Sequence, residues 1–222
     1  MWRDALLVAG KDLRIELRSR VALWQVLPFA LLCLVLFAFA LGPGEKALRA
    51  AAPGLFWLAV LFATVLATER SFSIESGEGT RDGLRLSGLD PAGIFLGKAA
   101  ALALQLAVLE IVLWAGIEFL FGVRVHVAWL ALVASVLATI GLASAGVLYG
   151  ALSAGLGVRE TLLPLLVLPI LAPVLLAASR AWAAALTGAV GAGVGWLRIL
   201  GPFAVVYAVL GVLLYGPLQE AG

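Results

Sequence analysis

Residues 94–121 read IFLGKAAALALQLAVLEIVLWAGIEFLF. Only Lys98, Glu110 and Glu118 carry formal charge in this run of Ala, Leu, Val, Ile and Phe. A bilayer core takes roughly 20 apolar residues as helix. The run exceeds that, which predicts a spanning helix that tilts or projects. Helix is the expected form because it satisfies its own backbone polar groups in lipid. The two-residue alternation of a membrane barrel is absent.

The rest of the chain extends this pattern. Of 222 residues, 64% are hydrophobic and 13% charged, and the mean hydropathy is +1.12. So little charge could not cover the surface of a soluble domain. An all-α integral membrane protein is expected, with residues 1–222 forming one membrane domain. The net charge of +2 argues against nucleic acid as a partner. Cys33 is the sole cysteine, so no disulfide within the chain is available.

Six apolar runs predict six spans: Val21–Leu41, Pro53–Thr68 (starting a few residues earlier, near Leu48), Ile94–Phe121, Val127–Gly155, Thr161–Ala178 and Ile199–Tyr215. Ala38-Phe39-Ala40 has the look of a leader cleavage site, but the preceding apolar run exceeds the usual ~7–15 residues, so cleavage is not expected. With both ends in the cytoplasm, ten Lys and Arg fall inside. Five fall outside: Lys46, Arg49, Arg124, Arg180 and Arg198. That excess favours this orientation.

Residues 1–20 predict an interfacial helix. Trp2, Leu6, Gly10, Leu13, Leu17 and Trp24 share one face at helical spacing. Lys11, Arg14 and Arg18 flank that face on one side, Asp12 and Glu16 on the other, as suits a helix lying on anionic lipid. Val8 and Ile15 interrupt the polar face. The outer loop 179–198, SRAWAAALTGAVGAGVGWLR, is apolar but broken by glycines. It predicts two short interfacial helices anchored by Trp182 and Trp196.

One polar island interrupts the chain. Residues 69–98, ERSFSIESGEGTRDGLRLSGLDPAGIFLGK, hold five acidic and four basic residues. Asp90-Pro91 is a strong helix start, an N-cap followed by a first-turn proline. Before it, Thr80 can cap a short helix through Leu84 and Leu86. The region 69–93 therefore predicts a cytoplasmic docking helix between spans two and three. The plain alternative is a solvated loop.

Several of these residues also carry a resemblance. They are Ala52-Pro53-Gly54 with Trp57, then Glu69-Arg70-x-Phe72-x-x-Glu75-x-x-Glu78-Gly79-Thr80-x-x-x-Leu84, then Leu96-x-Lys98. Together with Gly155-Leu156, Leu162-Leu163, Val167-Leu168-Pro169 and Pro173, they resemble the haem exporter B family (CcmB) of cytochrome c maturation. Glu78-Gly79-Thr80 and its leucines are also similar to the broader ABC-2 permease pattern. Ser87-Gly88-Leu89 departs from the family, where relatives often carry a proline.

The resemblance implies a permease subunit of an ABC transporter. Two copies would pair with two copies of a separate ATPase (CcmA-like). A CcmC-like haem-handling protein and a small CcmD-like protein would join them, and a periplasmic CcmE-like chaperone would receive haem. ATP and Mg²⁺ would sit on the ATPase, haem would be the candidate substrate, and this chain would hold no cofactor of its own. Glu69, Arg70, Phe72, Glu75, Glu78, Gly79, Thr80, Leu84 and Leu86 would couple the permease to the ATPase. Mixed signs suit a docking surface that must match a partner and stay soluble.

Independent chemistry is sparse. A phosphate-binding loop needs G-x-x-x-x-G-K-[ST], and Gly93 to Ala99 has the wrong spacing and no hydroxyl after Lys98. His126 is the only histidine. A structural or hydrogen-bonding role is expected for it rather than haem ligation, since no second ligand is in view. Glu110 lies roughly 18 Å along the helix from Lys98, deep in the bilayer. There it must face a cavity, a partner helix or a hydrogen-bond donor. Three functions follow: an ATP-driven haem permease, a non-translocating module that couples ATP hydrolysis to release of a loaded chaperone, or a proton-coupled transporter working through Glu110.

Overall fold

The computed structural model describes residues 1–19, 27–40, 45–75, 88–155 and 159–220. Seven helices make up this part: α1 (Trp2–Ser19), α2 (Leu27–Ala40), α3 (Glu45–Glu75), α4 (Pro91–Phe121), α5 (Ala128–Gly155), α6 (Arg159–Thr187) and α7 (Val190–Glu220). The last five contain stretches long and apolar enough to cross a membrane. Helix α2 is apolar but 14 residues long, about 21 Å, short of the ~30 Å hydrocarbon core. The six apolar runs thus correspond to five long helices and one shorter one.

Helix α4 begins and ends where local chemistry dictates. Asp90 Oδ1 accepts from the Ala92 backbone N–H at 3.0 Å, and Pro91 opens the first turn. At the other end Gly122 takes a left-handed φ of 60°, which a side chain would strain. Helix α5 is the most enclosed span. It packs against α4, α6 and α7, and Leu130, Ala131, Ala134, Ala138, Leu142 and Ala145 are sealed from the surface. The small side chains among them let neighbouring helices approach closely.

An aromatic cluster ties α3, α4 and α6 together. Phe56 stacks on Trp182 with ring centroids 4.1 Å apart, and Trp114 meets Trp182 edge-on at 4.9 Å. Trp182 also donates from Nε1 to Ser135 Oγ of α5 at 3.1 Å.

This corrects the outer-loop expectation. Residues 179–198 are not a pair of separate short helices but the end of α6 and the start of α7, joined by Gly188 and Ala189. Trp182 is buried rather than an interfacial anchor. Only Gly188, with φ 78°, breaks the helix. Gly191, Gly193 and Gly195 stay helical. At Gly193 a Cβ would run into the Leu130 side chain, so that glycine buys close packing rather than a turn.

Helix α1 lies along the first half of α4. Glycines make the approach possible: a Cβ at Gly97 would sit 2.6 Å from the Ala5 carbonyl oxygen, and one at Gly93 would sit 2.8 Å from that of Met1. Ala5 and Val8 are buried, while Trp2, Leu6 and Leu17 remain exposed. Val8, which seemed to spoil the polar face, is a contact to α4. Among the described residues, nothing covers the face of Trp2, Leu6 and Leu17.

Candidate functional site

The ends of α3 and α4 nearest α1 build a polar cluster. Lys98 enters from α4 two turns past its start, nearly sealed from the surface at 2% exposure. An ammonium at such a place requires partners. Its partners include Ser71 Oγ at 3.2 Å, the Asp12 carboxylate at 3.5 Å, and the Phe72 ring, whose centroid is 5.0 Å away. Lys11 stands 3.0 Å from the same aspartate, and Arg70 Nε lies 3.6 Å from Glu16. The carboxylates come from α1 and the central cations from α3 and α4. Helix α1 is thereby strapped to both spans by charge as well as by glycine packing.

The tip of α1 repeats the theme. Asp4 Oδ2 accepts from the terminal amine at 3.1 Å and from the Asp90 backbone N–H at 3.3 Å. Those two bonds, the amine's first, hold the Asp4 carboxyl below its usual range, and the amine is raised chiefly by its bond to Asp4.

Of the residues expected to face an ATPase, Phe72 meets Lys98 directly and Arg70 joins the cluster through Glu16. Glu69 is half-buried on the same stretch of α3, and Glu75 is its last residue. Glu78, Gly79, Thr80, Leu84 and Leu86 lie outside the described residues. Asp12, Glu16 and Ser71 were missing from the expected set. A lysine inside the apolar run 94–121 was the available signal, since a buried ammonium implies a nearby carboxylate. The near-miss phosphate loop also gains an explanation. Gly93 and Gly97 admit α1, and Lys98 receives its aspartate.

Glu110 is buried between helices. Thr139 Oγ1 donates to Glu110 Oε1 across the α4–α5 contact. The carboxyl faces protein, not lipid, as its depth requires. We expect Glu110→Ala to lower stability by about 1–2 kcal/mol, near the upper range for a hydrogen bond between membrane helices. Glu110→Gln, which keeps an acceptor, should lose less. Thermal melting in detergent would read this, and an unchanged midpoint for the alanine variant would remove the contact as a helix clamp.

The far ends of the same spans carry His126. Its Nδ1 lies 2.6 Å from the Leu186 carbonyl oxygen, so Nδ1–H is the donor. That bond fits the hydrogen-bonding role expected for it. The neighbouring Val127 N–H donates to the Ala185 carbonyl at 3.1 Å, so both satisfy carbonyls near the end of α6.

Comparison with known proteins follows the same residues. The family model described as "CcmB protein" matches residues 3–215. The chain belongs to the CcmB family. Among its curated relatives, "Heme exporter protein B" of Paracoccus denitrificans is 34% identical over 170 residues, covering 75% of each chain. The protein of the same description from Rhodobacter capsulatus is 32% identical over 166 residues, 72% of this chain and 74% of the relative. That of Haemophilus influenzae is 30% identical over 163 residues, 73% and 74% respectively. The CcmB match takes in α1 as well as the long spans. The Lys98 cluster therefore lies wholly within the family's extent.

Proposed function

We propose that this chain is the transmembrane permease subunit of an ATP-driven assembly for haem export or handover in cytochrome c maturation. Six spans cross the bacterial inner membrane, α2 being the first, with both termini in the cytoplasm. Helix α1 lies in the inner interface with Trp2, Leu6 and Leu17 in lipid. Two copies of the chain join two copies of a cytoplasmic ATPase, and CcmC-, CcmD- and CcmE-like proteins complete the path.

One observation carries the reading. Arg70 and Lys98 bracket the mixed-charge island and meet the α1 carboxylates of Glu16 and Asp12, with the Phe72 ring against Lys98. A push on the island is thus delivered to α1, α3 and α4 together. The geometry supports a coupling role for the island over a loop with no task. Glu110, held by Thr139 in a helix contact, favours this reading over proton-driven transport.

Topology is the first test. In a Cys33→Ser background, single cysteines at Glu45 and Gly188 should react with an impermeant reagent from outside, and one at Glu78 from inside only. Outside labelling at position 78 would sink the orientation and the docking role together. Haem uptake into inverted vesicles by the reconstituted complex would then separate translocation from chaperone release without transport.

A further inference from the structure

The mixed-charge island joins the domain through two stems, the end of α3 and the start of α4. Each stem carries a phenylalanine that turns into the domain. Phe95 sits one turn into α4 and is sealed from the surface, and Phe72 is buried in the last turn of α3. Both rings therefore lie behind a docking surface rather than on it.

Each ring seats on a glycine of another helix. A Cβ at Gly150 of α5 would lie 2.5 Å from Phe72 Cε2 and 2.8 Å from Thr68 Cγ2, one turn earlier. A Cβ at Gly211 of α7 would overlap the tip of the Phe95 ring, at Cζ, Cε1 and Cε2. The contacts continue along both helices. A Cβ at Gly146 would lie 2.8 Å from Thr68 Oγ1, and one at Gly216 would lie 3.5 Å from Pro91 Cβ. Tyr215 flanks the Phe95 ring, with centroids 5.8 Å apart. So α3 runs in parallel register with α5, Thr68 at Gly146 and Phe72 at Gly150. Helix α4 runs antiparallel to α7, Pro91 at Gly216 and Phe95 at Gly211.

These seats matter because so little in them can yield. A ring has no internal torsion, and a glycine presents backbone on the other side. Close-packed interiors have low compressibility and transmit strain. A shift of either stem toward its seat displaces the helix behind it. The stems are also tied to each other, since Lys98 of α4 stands 5.0 Å from the Phe72 ring centroid. Far from the island a comparable contact is softer: a Cβ at Gly193 of α7 would meet the flexible Leu130 side chain of α5.

We propose that Phe95 and Phe72 are positioning residues for energy coupling, which carry movement of the island into α7 through Gly211 and into α5 through Gly150. The assignment rests on the permease reading for the source of the movement and adds the route it takes.

The test reconstitutes the full chain and its variants in nanodiscs with the partner ATPase. It reads the ATPase Kd, the hydrolysis rate of the saturated complex and the melting temperature. Gly211→Ala and Gly150→Ala should each lower stimulated hydrolysis at saturation by at least about fivefold, with Kd within about twofold of wild type. Leucine lacks the three ring atoms that a methyl at position 211 would meet. Adding Phe95→Leu to Gly211→Ala should therefore bring the rate back to within about twofold of wild type. Phe95→Leu alone opens a gap at the seat instead of a clash. It should also lower the rate, and it carries the test if Gly211→Ala does not insert. Gly193→Ala, which crowds Leu130 at the far end, should lower the melting temperature and keep stimulation. Stimulation that survives Gly211→Ala and Phe95→Leu, a loss that the double variant does not relieve, or an equal loss in Gly193→Ala would each overturn the assignment. So would a fall in recruitment that accounts for the fall in rate, because the rings would then only shape the docking surface. A wild-type chain that recruits no ATPase would sink the permease reading itself and take this route with it.

Discussion

Asp12→Ala should release α1 from the rest of the domain. The substitution takes the Asp12 carboxylate away from a buried Lys98 that keeps Ser71 and Phe72 beside it. Its side chain is 1% exposed and that of Asp12 12%, so solvent screens the pair little. Removing one partner of a buried pair costs about 3–5 kcal/mol, most of it the stranded charge. Hydrogen exchange of residues 2–19 would report it. Protection should fall by roughly two orders of magnitude or more, at 1.4 kcal/mol per factor of ten. The exchanged pair Asp12→Lys with Lys98→Asp should recover part of the loss. Unchanged protection in Asp12→Ala would mean that the Asp12–Lys98 pair does not hold α1.

Charge reversal in the island should be at least as damaging, but to function rather than to fold. Glu78→Arg inverts one contact of the docking surface. If that contact is desolvated the loss is about 2 kcal/mol or more, which is ~30-fold in ATPase Kd. Thr80→Ala removes the expected helix cap at a local cost of about 1 kcal/mol. Neither residue belongs to an apolar run, so membrane insertion and abundance should survive. Pull-down of the ATPase from membranes with equal permease content would separate lost docking from lost protein.

Much of the fold was legible because lipid imposes one rule on every span. Helix α4 starts at Asp90-Pro91 and ends near Phe121, where both capping chemistry and apolar length point. Helix α5 likewise fills the run that begins at Val127. The other ends were less legible. Helix α3 begins at Glu45 and runs to Glu75, beyond the apolar stretch, because a helix continues past lipid wherever its backbone bonds are satisfied. Pro53, where the apolar stretch begins, sits well inside it. The 179–198 stretch misled because glycine was treated as a breaker, whereas between packed membrane helices it lets backbones approach. The island's charge balance was plain in the sequence. That Lys98 would take its carboxylate from α1, 86 residues earlier in the chain, was not: pairing across such a separation depends on how α1 lies against Gly93 and Gly97.

The central claim is that the 69–93 region passes work between an ATPase and the spans. The measurement is ATP hydrolysis by the partner ATPase, reconstituted with the permease in nanodiscs, for wild type and for Glu75→Arg, Glu78→Arg and Thr80→Ala combined. Glu220→Arg serves as a control at the C-terminal tail. Loss of permease-dependent stimulation in the combined variant, with stimulation kept in the control, is the predicted result. Undiminished recruitment and stimulation in the combined variant would contradict it.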